Sequence, residues 1–211
     1  MDTALDHLIV AASSLGDGID YIARVTGVTP RPGGKHVAMG THNALLRLSD
    51  RVYLEVLAVD PDGVEPARPR WFDLDDAGLR AELARGPRLV AWAARTDDIE
   101  GAVARCPIAL GAVTPFTRGD YRWRLTIPDD GRRPGNGLMP ALIQWDVAAH
   151  PTDALPESGV SLTGLSASHP NPDAIRGALA SLGLAAILPL TRDRQAHLRA
   201  TLATPRGPVS L

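Results

Sequence analysis

Glu55 interrupts an apolar run, Tyr53-Leu54-Glu55-Val56-Leu57, and His7 stands near the start of another, Asp6-His7-Leu8-Ile9-Val10. A carboxylate inside such a strand is costly to bury unless a cation, a proton or a ligand compensates it. Three chemistries suit Glu55: holding a hard or borderline cation, acting as a general base toward an acidic C–H, or bonding to an internal Arg. His7 offers one ring nitrogen to a metal and the other to an acceptor behind it, or else stands as an edge histidine facing water. His36 and His42 flank a Gly40-Thr41 turn and Asn43 begins the next strand. If that turn overhangs a cavity, His36, His42 and Asn43 are candidates to contact a ligand; a surface turn braced by Asn43 is the plainer reading.

In period two, Tyr53, Glu55 and Leu57 share one face and Leu54, Val56 and Ala58 the other, which turns Glu55 toward a cavity. Trp92 and Trp123 are candidates for an aromatic ligand wall, against the alternative of core packing. Arg122 and Arg124 share a side of their strand, either solvated or paired across the cavity, with Arg118 close in sequence. Cys106 is the one cysteine; it excludes an internal disulfide and a multi-cysteine metal site, and reads as a small core residue.

The elements that must position these groups follow one order. Residues 7–12 read as a strand, 17–26 as a helix stopped by Gly27, 29–34 as a turn, and 36–39, 43–48 and 52–59 as three strands. A loop at 60–70 and a helix at 71–85 form a bridge. The order then repeats: a strand at 89–94, a helix at 98–105 capped by the Thr96-Asp97-Asp98 group, and strands at 108–112, 121–127 and 140–147. After a linker at 151–159 comes a third pass, with a strand at 161–168, a helix at 172–182 capped by Asn171, strands at 185–188 and 197–204, and a short last strand. The expected class is α+β: repeated βαβββ modules forming a cupped mixed sheet with a partial third module, in one domain. The modules are expected at 1–61, 87–150 and 160–211, with the bridge at 62–86.

The 211 residues suffice for a sizeable core. The 22 basic and 24 acidic residues nearly balance and form no long charge run, so nucleic acid is not an expected partner. Lys35 is the only lysine, which reads as the coding bias of a GC-rich bacterial genome. No apolar run approaches the ~20 residues that cross a bilayer, and no leader-like segment precedes the first strand, so the expectation is a cytoplasmic protein without a membrane partner.

Together, Asp6-His7-Leu8-Ile9-Val10, the stretch His36-x-x-x-Gly40-Thr41-x-Asn43-x-Leu45, Tyr53-Leu54-Glu55 with Asp60-Pro61 after it, and Leu142-Ile143-Gln144-Trp145 closely resemble a glyoxalase-like domain of the vicinal oxygen chelate superfamily. The resemblance runs over about residues 5–180. It implies βαβββ modules paired into a cup around a small-molecule site, often with a divalent metal held by His on a module's first strand and Glu on its last. The implied ligands are His7 and Glu55, with Gln144 at the last-strand position of the second module and no usual ligand near Val90 or Trp92. Trp145 is expected to face away from the cavity, opposite Gln144. Two functions follow: a metal-dependent isomerase or lyase on a small oxygen-bearing metabolite, with Glu55 doubling as base, or a metal-free protein that binds or sequesters a small molecule. Sheet edges make a homodimer plausible, while the third module capping an edge would leave a monomer.

Overall fold

A computed structural model describes residues 3–211. The first module runs β1 (Ala4–Ala11), α1 (Leu15–Thr26), β2 (Arg31–His36), β3 (Thr41–Ser49) and β4 (Val52–Val59). Ser14 caps α1 by accepting from the Asp17 N–H, and Gly27 ends it at φ 79°, a left-handed conformation that costs glycine little. After α2 (Ala77–Leu83), the second module runs β5 (Arg88–Arg95), α3 (Ile99–Arg105), β6 (Ala112–Arg118), β7 (Tyr121–Ile127) and β8 (Ala141–Trp145). The eight strands form one curled sheet in the order β2-β3-β4-β1-β5-β8-β7-β6. Each module pairs its first and last strands in parallel, and the modules meet at the antiparallel β1–β5 seam. The halves mirror one another in strand order, as the repeat in the sequence implies.

Strand alternation splits the apolar residues into two faces. The convex face carries Leu8, Val10, Ala44, Leu46, Leu54, Val56, Trp92 and Leu142, and buries them against the helices. The concave face carries Ile9, Leu57, Ala91, Ala93, Trp123, Leu125 and Ile143. The third unit comprises β9 (Ser161–His169), α5 (Pro172–Ser181), β10 (Leu190–Arg192), β11 (His197–Thr204) and β12 (Gly207–Ser210), after the short helix α4 (Pro151–Ala154). Its element order repeats the modules but its wiring does not. β9 lies between β10 and β11 in a separate sheet, β10-β9-β11-β12, rather than pairing with the last strand. Its Leu165, Ile175, Leu179, Leu198 and Leu202 join the convex-side core.

Five expected elements differ from the structure. Two are strands expected at 36–39 and 108–112, which lie instead at Arg31–His36, ahead of a 3-10 turn at Val37–Met39, and at Ala112–Arg118. Residues 31–34 belong to β2 although they contain Pro32-Gly33-Gly34, because β2 is an edge strand whose outer side needs no proline N–H. Residues 71–76 are turn rather than helix: Asp76 caps α2 through the Leu79 N–H, while Phe72 and Asp73 take left-handed φ values of 58° and 60°. That turn is pinned by Arg70, which bonds Glu65 and Asp75, and by an Asp73–Arg133 ion pair at 2.6 Å. The strand expected at 185–188 lies instead at Leu190–Arg192.

Trp92 is fully buried in the convex core and donates its indole N–H to the Leu138 carbonyl at 3.0 Å. Trp92→Ala is expected to lower unfolding free energy by about 3–5 kcal/mol, and Trp92→Phe by a smaller amount set by the lost hydrogen bond and ring. Urea denaturation of the two variants beside the parent checks this ordering.

Candidate functional site

His7, on β1, and Glu55, on β4, are brought to the same concave face, with His7 only 5 % exposed and Glu55 6 %. Their facing atoms, Nε2 and Oε2, lie 3.7 Å apart, too far for a direct hydrogen bond. The reason the imidazole points there is a β-bulge. Leu5 pairs with Ala94 and His7 with Ala93, so Asp6 is the extra residue in β1. A bulge re-aims side chains, and this one brings the Asp6 carboxylate beside its neighbour.

Asp6 is fully buried and its oxygens take three donors: His7 Nδ1–H at 2.6 Å, Trp145 Nε1–H at 3.0 Å and His150 Nε2–H at 3.3 Å. The His150 tautomer follows from its other nitrogen, which accepts from the Thr152 backbone N–H where His150 caps α4. Burial by itself would raise the Asp6 carboxyl, but the bonds from His150 and His7 hold it well below the ordinary carboxylate range. Nδ1 is thus the nitrogen that bonds Asp6, and Nε2 is the one that faces Glu55. Tyr53 stacks on His7 with ring centres 4.6 Å apart and fixes the ring plane.

Asn43 and His36 also reach the cup. Asn43 donates to Glu55 Oε1 at 2.5 Å and accepts from the Gly34 N–H at 2.8 Å. A Cβ on Gly33 would stand 2.1 Å from Asn43 Oδ1, so the glycines of β2 make room for this side chain. His36 hydrogen-bonds Thr41 through Nδ1 and receives Arg118 Nη1–H at Nε2, 3.3 Å away. Burial pushes the His36 imidazole down to about 4, with Arg118 adding to the effect and Glu55 opposing it, so it is neutral at pH 7. Trp71, Phe72, Trp123 and Trp145 wall the space. The cavity they leave is about 40 Å³, which suits the reacting end of a small molecule.

Three expected residues are elsewhere. Gln144 is on the convex side of β8, where its Oε1 accepts from the Ile99 N–H at the start of α3; Trp145, expected to face away, is in the cup instead. The physical reason is alternation: β8 enters the sheet with Ile143 inward, so its neighbours Leu142 and Gln144 go outward. Trp92 is core rather than ligand wall, for the same reason in β5. His42 alternates with Asn43 along β3 and turns away from the cup, with Nδ1 3.9 Å from Asp60. Asp6, Tyr53, His150, Trp71 and Arg118 complete the site. Asp6 was readable as a second carboxylate in an apolar strand, whereas His150 and Trp71 carry no local signal.

The cup's donor set does not fit a resident divalent ion. Glu55 Oε1 is held by Asn43 and His36 Nε2 by Arg118, which leaves two uncommitted donors, His7 Nε2 and Glu55 Oε2. Zinc sites use three or four protein ligands, and among the described residues no group of three His, Cys, Asp or Glu is placed to hold an ion. The half-buried guanidinium adjoining His36 also adds positive charge where an ion would sit.

A sequence profile described as a glyoxalase-like domain matches residues 5–183. No curated protein sequence matches the chain. Among solved structures, a hypothetical protein from Staphylococcus aureus is similar at 13% identity and a TM-score of 0.56, over 100% of this chain and 84% of that one. Methylmalonyl-CoA epimerase from Mycobacterium tuberculosis is 19% identical with a TM-score of 0.42, over 69% of this chain and 89% of that one. A hypothetical protein from Bacillus halodurans C-125 is 16% identical with a TM-score of 0.43, over 71% and 98%. No helix among the described residues is long and apolar enough to cross a membrane.

Asp6→Asn replaces an acceptor of three N–H groups with an amide that presents two N–H of its own, and is expected to cost about 3–5 kcal/mol of stability at pH 7. The folded-state carboxyl lies below its ordinary value of 3.8, so its stabilisation is present above that pH and is lost as pH falls through the folded value. Chemical denaturation from pH 7 downward should therefore show a flatter acid limb in the variant. Equal midpoints at pH 7 would contradict this role for Asp6.

Proposed function

The chain belongs to the glyoxalase-like domain family, and from the geometry of its cup we propose that it is an isomerase or lyase moving a proton at a carbon acid of a small oxygen-bearing metabolite. The observation that carries this reading is the pairing of His7 Nε2 and Glu55 Oε2, 3.7 Å apart on the concave face, backed on the far side of the imidazole by the buried Asp6. Two proton acceptors face each other there, in a largely buried pocket where an unfilled polar contact is costly. The 3.7 Å gap is too narrow for a carbon between them, so a substrate C–H beside a carbonyl meets the two atoms from the open side of the cup.

His7 takes the proton at Nε2. The imidazolium so formed lies between two carboxylates, Asp6 and Glu55, and its Nδ1–H stays bonded to Asp6. Asn43 holds Glu55 Oε1, so Oε2 is the oxygen presented to substrate. Return of that proton from His7 Nε2 to a neighbouring atom of the delocalised anion completes an isomerisation, and departure of a β-substituent with its bonding pair completes an elimination. Trp71 lines the cup, and its buried indole N–H makes no hydrogen bond among the described residues. The aromatic walls limit water access to the developing charge.

The test is hydrogen–deuterium exchange at carbon, followed by proton NMR in deuterium oxide over a panel of small α-hydroxy, α-oxo and β-oxo carboxylic acids. The protein should accelerate exchange in at least one member, and His7→Gln and Glu55→Gln should each reduce that rate about 10²–10⁴-fold while leaving the circular dichroism unchanged. Binding without exchange would instead identify a sequestering protein. Exchange that survives both substitutions would remove the assignment.

A further inference from the structure

Arg118 occupies an unusual position. It ends β6, at one edge of the curled sheet, and reaches the other edge, donating from Nη1 to His36 Nε2 at 3.3 Å and Asn43 Oδ1 at 3.4 Å. Both partners are neutral acceptors, and among the described residues no carboxylate lies within ion-pair distance of the guanidinium. Nε and Nη2 make no hydrogen bond to the described residues. The stem packs on β2, where a Cβ on Gly34 would stand 2.8 Å from Arg118 Cδ, so glycine permits this close crossing. Trp123 and Tyr121 lie beneath the guanidinium with ring centres 6.0 Å away. A half-buried, pre-positioned fork with one edge unfilled is a recognition element for a planar oxyanion.

Arg118 also borders a second space. A groove of about 500 Å³ runs from it past Tyr121 and Leu45 to Leu155 and Arg31. No Asp or Glu lines this groove, and its surface is mainly apolar. The cup beyond Arg118 is an order of magnitude smaller, so a ligand seated at the neck leaves its bulk in the groove. Resting on the acid–base reading above, we propose that the substrate is a carboxylic acid with an apolar chain: the carboxylate sits on the free edge of Arg118, the α-carbon meets His7 and Glu55, and the chain lies in the groove. Arg118 is thereby the specificity-determining residue, and the groove selects for chain length.

Binding measurements separate this inference from the catalytic one. Tryptophan fluorescence and calorimetry would use α-hydroxypropionate, α-hydroxycaproate and α-hydroxycaprylate with their primary amides, against the full chain and its Arg118→Gln, Arg118→Lys and Leu155→Asp variants. The parent should prefer acid over amide by about 10- to 100-fold, the worth of a charge-assisted hydrogen bond. Arg118→Gln should erase that preference, Arg118→Lys should restore only part of it because the fork is lost, and Leu155→Asp should remove the affinity gained on lengthening the chain. An acid preference that survives Arg118→Gln, or amides bound as tightly as acids by the parent, would overturn the inference even if carbon-bound deuterium exchange is observed. Arg118-dependent acid binding without exchange would uphold it and refute the acid–base reading.

Discussion

The buried Asp6 carboxylate is the fixed point of the cup. It takes N–H donors from His7 on its own strand, Trp145 at the end of β8 and His150 at the start of α4. An ion with no solvent contact is tolerated only when its lone pairs are filled, so these three groups are constrained together. The first strand of the first module, the last strand of the second and the start of α4 thus depend on one charge. Its consequence for chemistry is the orientation of His7, because the ring that bonds Asp6 through Nδ1 turns Nε2 toward Glu55.

The two halves of the sheet share a strand order and divide the labour. The first contributes the polar groups, His7, His36, Asn43 and Glu55, and the second contributes mainly shape, through Leu125, Ile143, Trp123 and Trp145. Arg118 is the exception, crossing from the second half to the first at the closing edge. Its positive charge connects to Glu55 through Asn43, whose oxygen accepts from the guanidinium and whose nitrogen donates to the carboxylate. This relay brings positive charge toward Glu55 while only Nη1 of the guanidinium is engaged among the described residues.

The site was legible where local pattern fixes direction. Glu55 faces the cup because Tyr53 and Leu57 do, and the alternation of β4 is unbroken. The same logic misplaced Gln144 and Trp145, since the parity of a strand reverses when its register moves by one residue and register is set by pairing with a neighbour. In β8 the pairing of Ala93 with Ala141 decides it. Asp6 illustrates a different failure: strict alternation puts it opposite His7, and only the bulge against β5 brings the two side chains together.

Sequence alone determined most of the elements and their repetition, through alternating apolar positions, a helix cap at Asp98, and the recurrence of strand-helix-strand-strand-strand order. Those signals are local, carried by residues a few positions apart. Tertiary structure decided which polar residues meet. Asp6 and His150 are 144 positions apart, and His36 and Arg118 are 82, and no local propensity encodes either contact. They exist because the sheet curls until its edges approach and because burial demands a partner for each charge and each N–H, a constraint satisfied only when the whole chain is folded.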